Sequence, residues 1–99
     1  MEKRVEIGGR AVALYYTVNA LCAVEERAGG SLDHLMERQF TATRLLLWGG
    51  MLEKQPDITL AEAGRLISQH ISGGGTLEEI VNMCAEALEE AGFFAPAAV

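Results

Sequence analysis

From Lys3 to Tyr16, polar and apolar residues alternate with a period of two, the mark of a half-buried β-strand. Gly8-Gly9 interrupts the alternation and can supply the positive φ angles of a two-residue hairpin turn. With that turn, Ile7 pairs with Arg10, Val5 with Val12 and Lys3 with Leu14. Val5, Ile7, Val12, Leu14 and Tyr16 then form one apolar face. Glu2, Arg4 and Glu6 lie opposite Tyr15, Ala13 and Ala11 on the other. Pattern and turn select the same register. A lone hairpin is barely stable in water, so its apolar face must cover helices.

From Val18 onward the period lengthens to about 3.6 residues. Asn19 is a suitable N-cap for a helix through about Ala28, with Leu21, Val24 and Ala28 on one face and Gly29-Gly30 ending it. Ser31 can cap a short second helix, with Leu32, Leu35, Met36 and Phe40 facing inward. A third helix is predicted from Thr41 or Thr43 to about Lys54, stopped by Pro56. Thr59 and Glu62 form the capping box T-L-A-E, followed by Leu60, Ala63, Ile67 and Ile71 at helical spacing. Ser72-Gly73-Gly74-Gly75 reads as a flexible break. Thr76 and Glu79 repeat the box as T-L-E-E, and Leu77, Ile80, Val81, Cys84, Leu88 and Ala91 form one stripe closed by Gly92.

The pattern predicts an α+β fold, a mostly helical single domain over residues 1–99. An N-terminal β-hairpin (3–17) packs on about four to five short helices (18–92), with a C-terminal tail (93–99). The length of 99 residues leaves no room for a second core. A composition of 49% hydrophobic and 22% charged residues is that of a globular chain, not a disordered one. No apolar run is long enough for a transmembrane helix, and Met1-Glu2-Lys3-Arg4-Val5 does not open a secretory leader. Two distant cysteines, Cys22 and Cys84, read as reduced core thiols in a cytoplasm.

The formal net charge is −6 and unevenly placed. Basic and acidic residues balance over 1–50. Beyond that, Lys54 and Arg65 face eight acids, so the whole net charge lies in 51–99. That half would repel phosphate backbones and anionic membrane surfaces, which argues against nucleic-acid or membrane partners.

Few residues point to chemistry. Cys22, Cys84, His34 and His70 lack the close pairing of zinc ligands, so no metal and no cofactor is expected. Neither histidine lies in a recognisable nucleophile–base motif, so no catalytic residues are expected and the chain reads as a non-enzyme. Gly73-Gly74-Gly75 precedes a helix, but Thr76, Glu78 and Glu79 follow instead of Gly-Lys-Ser/Thr, so it is no phosphate loop. Glu25-Glu26, Glu78-Glu79 and Glu89-Glu90 are adjacent on helices and point about 100° apart, which suits solvated faces better than a carboxylate pair. Glu89 and Glu90 also oppose the helix dipole by a few tenths of a kcal/mol at about the last turn.

The strongest oddity is Leu45-Leu46-Leu47-Trp48-Gly49-Gly50-Met51-Leu52. Bulky apolar residues in succession sweep every side of a helix, which must be central in the core or covered by a second chain. Two mid-helix glycines cost about 1 kcal/mol each relative to Ala, so close approach of another element or a kink must justify them. Trp48, Met51 and the tail aromatics Phe93 and Phe94 are the candidate partner contacts. On chemistry alone, this is an interaction domain.

The order of these pieces adds a resemblance. A hairpin leads into Asn19-Ala20-Leu21-Cys22-Ala23-Val24-Glu25-Glu26, then Gly30-Ser31-Leu32, then Leu46-Leu47-Trp48-Gly49-Gly50-Met51, then Pro56-Asp57-Ile58-Thr59-Leu60-Ala61-Glu62. Over about residues 3–92 this resembles the tail assembly chaperones of long-tailed bacteriophages and prophages, and the related small proteins of gene transfer agents. The resemblance implies a protein that binds the tape-measure protein, the tail tube protein, or both, in the bacterial host cytoplasm. It implies absence from the mature virion, no catalysis and weak self-association as a homo-oligomer. The alternative is a structural tail component, a completion or connector protein that stays in the particle.

Overall fold

In the computed structural model, residues 2–29 and 37–93 are described. The chain opens with an antiparallel hairpin of β1 (Lys3–Ile7) and β2 (Arg10–Leu14). Its register pairs Lys3 with Leu14, Val5 with Val12 and Ile7 with Arg10, as the alternation predicts. Gly8 and Gly9 take φ of 60° and 77°, which a primed turn requires and which residues with a Cβ rarely adopt. Ile7, Val12, Leu14 and Tyr16 are buried in the core, and Val5 packs at its edge.

Four helices follow among the described residues: α1 (Val18–Ala28), α2 (Gln39–Met51), α3 (Leu60–Ser72) and α4 (Leu77–Glu90). The fold is therefore α+β and mostly helical. Its radius of gyration, 12.7 Å, equals that of a folded domain of this length, for which about 13 Å is expected. None of these helices is long and apolar enough to cross a membrane.

Helix starts differ from the sequence reading in two places. Thr17, not Asn19, caps α1: its backbone is extended and its side chain accepts the Ala20 amide at 3.0 Å. Two capping residues stand close together there, and the first takes the role. Helix α2 begins at Gln39 without a side-chain cap. Thr43 lies one turn inside it, buried, and its hydroxyl donates to the Gln39 carbonyl at 2.7 Å, so it is satisfied within the helix rather than capping it. The two boxes also differ. Thr76 and Glu79 exchange both hydrogen bonds, whereas at Thr59 the observed bond is the one from the Glu62 amide to the threonine hydroxyl. The short helix predicted from Ser31 falls on 30–36, outside the described residues.

Helix ends follow local chemistry. Gly29 closes α1 at φ 78°, taking amide bonds back to Glu25 and Glu26. Helix α2 stops at Met51, short of the predicted Lys54, and continues as turns tied by Gln55 N–H to the Met51 carbonyl. The glycines after α3 form a hydrogen-bonded turn rather than a loose break. The amides of Gly73, Gly74 and Gly75 donate to the carbonyls of Gln69, Ile71 and His70.

Helix α2 is the centre of the molecule. It touches β2, α1, α3 and α4, and buries Ala42, Leu45, Leu47, Trp48 and Met51. Full burial of side chains of this size stabilises by about 1.5–3 kcal/mol each before entropic costs. The all-round apolar run is thus explained within the chain. The glycine pair lets neighbours approach closely. A Cβ on Gly49 would stand 2.5 Å from Val24 Cγ2, and one on Gly50 would stand 2.9 Å from Leu14 and Tyr16.

Candidate interaction surface

Trp48 and Met51, proposed from sequence as partner contacts, lie in the core. Met51 is fully buried and Trp48 is 6% exposed. The Trp48 indole N–H donates to the Ile58 carbonyl at 3.0 Å, and Arg27 lies 5.3 Å from the ring centroid. A side chain whose one polar atom is satisfied inside the fold and whose ring is covered presents nothing to a partner. Phe93 is half-buried against the core, and its amide donates to the Leu88 carbonyl at 3.1 Å. Phe94 lies outside the described residues. The three described candidates therefore do not form one exposed patch.

The exposed apolar surface lies elsewhere. Side chains from α2 and α4 line a groove of about 510 Å³. Ala42 and Leu46 form one wall and Leu77 and Val81 the other, with Gln39 and Glu78 at the rim. Leu77 also lines a smaller groove of about 280 Å³ between α2 and α3, beside Phe40, Arg44 and Gly64. Phe40 is 73% exposed, contrary to its predicted inward placement. It stands in the first turn of α2.

Helical spacing explains the groove. On α4, Ile80, Cys84, Ala87 and Leu88 are buried, while Leu77 and Val81 sit at the edge of that stripe and are half-covered. The single inward stripe read from sequence is thus two strips, one in the core and one at its border. On α3, Ala63, Leu66 and Ile67 are buried, but Ile71 is 42% exposed. Gly8 packs over Leu66, Gln69 and His70, so the hairpin tip meets that face and not the one through Ile71.

Electrostatics divide α4 along its length. The helix contains no Lys, Arg or His. On the hairpin side, Lys3 meets Glu90 at 3.0 Å and Glu86 at 3.7 Å, which offsets charge at the helix C-terminus. The Glu90 contact is the main cause of a raised Lys3 pKa. Glu79 lies 3.4 Å from His70 Nε2. Glu78 lines the groove, and Glu89 lies on the same side of α4 three helical turns further on, both exposed. Among the described residues neither has an ion-pair partner.

A second constellation joins three elements. His70 Nδ1, on α3, accepts the Gly8 amide of the hairpin turn at 3.3 Å. An accepting Nδ1 carries no proton, so the neutral ring holds its proton on Nε2. That Nε2 is buried without a hydrogen-bond partner, facing the Glu79 carboxylate at the start of α4. The arrangement fastens the hairpin tip to α3 and α4.

The two cysteines part company. Cys84 is fully buried, and burial pushes its thiol up to about 11, with the neighbouring Tyr16 hydroxyl opposing. Burial also holds the Tyr16 phenol well above its usual value, and the adjacent Cys84 adds to this. Cys22 is exposed on α1, contrary to its predicted core placement, because α1 turns Ala20 and Val24 inward.

Comparison with protein-family models, curated proteins and solved structures finds no match to this chain.

Proposed function

We propose that this chain is a tail assembly chaperone of a long-tailed bacteriophage or prophage. It binds the tape-measure protein, the tail tube protein, or both, during tail morphogenesis. It acts by binding, without catalysis or cofactor. It works in the bacterial host cytoplasm and leaves before the virion is complete.

The reading rests on the order of motifs: the hairpin, Asn19-Ala20-Leu21, Leu46-Leu47-Trp48-Gly49 and Pro56-Asp57-Ile58-Thr59-Leu60. The structural observation that carries it furthest is the open apolar groove between α2 and α4. A chaperone for an aggregation-prone helical client needs apolar surface that it leaves uncovered until the client arrives.

The test is a tagged pull-down from induced cells carrying the native gene cluster, with co-purifying chains identified by mass spectrometry. The expected catch is a long helical tape-measure chain or unassembled tube subunits. Recovery of neither, from well-folded protein, overturns the reading. Stoichiometric presence in purified particles replaces it with a completion or connector protein.

A further inference from the structure

We propose that the groove between α2 and α4 receives the apolar face of an amphipathic helix flanked by Lys or Arg side chains. For the partner's biological identity the inference rests on the chaperone reading. The chemistry of the groove stands apart from it.

The shape favours a helix. Two roughly 20 Å helices supply the walls, at about 1.5 Å per residue, and present apolar side chains one turn apart. Ala42 and Leu46 stand on one, Leu77 and Val81 on the other. This is the arrangement into which a client helix sets residues at i, i+3, i+4 and i+7.

The charge selects its flanks. Glu78 lies in the lining, and Asn82, Ala85 and Glu89 extend its stripe along α4 beyond the lining residues, all exposed. Acids on the other side are met by Lys3 and His70, whereas Glu78 and Glu89 have no ion-pair partner among the described residues. A client with cations beside its apolar stripe satisfies both, and one with acids there is repelled. The same edge disfavours phosphate-bearing ligands.

A second copy of this chain is a poor match. Arg27, Arg44 and Arg65 are the lone basic residues besides histidine in α1, α2 and α3, and α4 has none. None of these four helices offers an apolar stripe with basic residues on both sides, so among the described residues no segment of a second copy matches the groove, and the complementary occupant is taken as a different chain.

The probes are two synthetic amphipathic peptides, one of Leu and Lys at helical spacing and its twin with Glu for every Lys. Calorimetry gives the affinities, and amide shifts of the full-length labelled protein give the location. The Leu/Lys peptide should bind about tenfold tighter than the Leu/Glu twin at low salt, with the gap closing as salt rises. Shifts should concentrate on Ala42, Leu46, Leu77 and Val81. The double substitution Glu78→Lys and Glu89→Lys, on an exposed edge and checked by circular dichroism, should reverse the preference.

Four outcomes overturn the proposal: neither peptide binds, both bind alike, the shifts centre on Phe40 and Arg44, or the groove residues shift with protein concentration and no peptide, which marks self-association. The same double variant in the cellular pull-down separates the two readings. Tail proteins still captured by a variant that has lost Leu/Lys preference leave the chaperone reading standing and remove the charge inference. Peptide selectivity with no tail protein captured does the reverse.

Discussion

Gly50 lies so close to Tyr16 that a Cβ on the glycine would stand 2.9 Å from the ring Cζ and from the hydroxyl oxygen. The tyrosine cannot easily yield, because it is buried and its hydroxyl donates to the Leu46 carbonyl one turn earlier on α2. The backbone is fixed as well: the Tyr15 amide donates to the Gly50 carbonyl at 2.7 Å. The end of the hairpin is thereby joined to the central helix, and the adjacent Gly49 seats Val24 of α1 on a neighbouring face.

Gly50→Ala should therefore destabilise, although alanine is the better helix former. The propensity gain is about 1 kcal/mol, and overpacking a fixed core costs about 1–3 kcal/mol, so a net loss is expected. Gly49→Ala should behave alike. Gly64→Ala is the control, since its Cβ would meet only the movable Arg44 Cδ at 3.3 Å. Urea denaturation reads all three. A more stable Gly50→Ala protein would contradict the close approach.

Trp48→Ala should unfold or strongly destabilise the protein, by about 3–5 kcal/mol, as a large core truncation does. Trp48→Phe keeps much of the ring but leaves the Ile58 carbonyl without its donor, for a loss of about 1–3 kcal/mol. Intrinsic fluorescence should be that of a shielded indole and shift red on unfolding. If Trp48→Ala keeps native stability and loses client capture, the residue is a contact after all and its burial is wrong.

Thiol labelling should separate the cysteines. Cys22 is exposed and should react with a disulfide reagent in the native state. Cys84 is fully buried with its thiol held up to about 11, so it should react only after unfolding. Mass spectrometry of partly labelled protein would show which site is modified. Fast native labelling at Cys84 would mean that α4 opens readily from the core.

What the sequence made legible, and what it did not, follows from range. The hairpin register is readable because turn and alternation constrain the same few residues, Gly8, Gly9 and their flanks. The caps at Thr59 and Thr76 are readable for the same reason. Cys22, Phe40 and Ile71 face inward by sequence pattern but are exposed, because each sits on a helix whose buried face is chosen by distant partners. The run around Trp48 admitted two explanations, a core helix or a partner surface. Only the positions of Tyr16 and Val24, far away in the chain, and of Ile58 in the turn after α2 decide for the core. The groove was invisible for the same reason: Leu46 and Leu77 become neighbours only once α2 and α4 pack.

Acid should loosen the junction between hairpin, α3 and α4. The Glu79 carboxyl is held below its ordinary 4.5 first by the Thr76 amide, which donates to it at 2.6 Å, then by the Thr76 hydroxyl and His70. A folded-state value below the unfolded one stabilises above the ordinary value, and that contribution is lost as pH falls through the folded value. Glu79→Gln should therefore flatten the fall in stability below pH 4.5. His70 adds a directional test. Its Nδ1 accepts the Gly8 amide, so nitrogen chemical shifts in the native state should show the proton on Nε2. The Gly8 amide should be protected from exchange while Nδ1 accepts it, and His70→Ala should lose that protection. If His70→Ala leaves Gly8 as protected as before, the imidazole does not fasten the hairpin tip, and the acid sensitivity belongs to Glu79 and its cap alone.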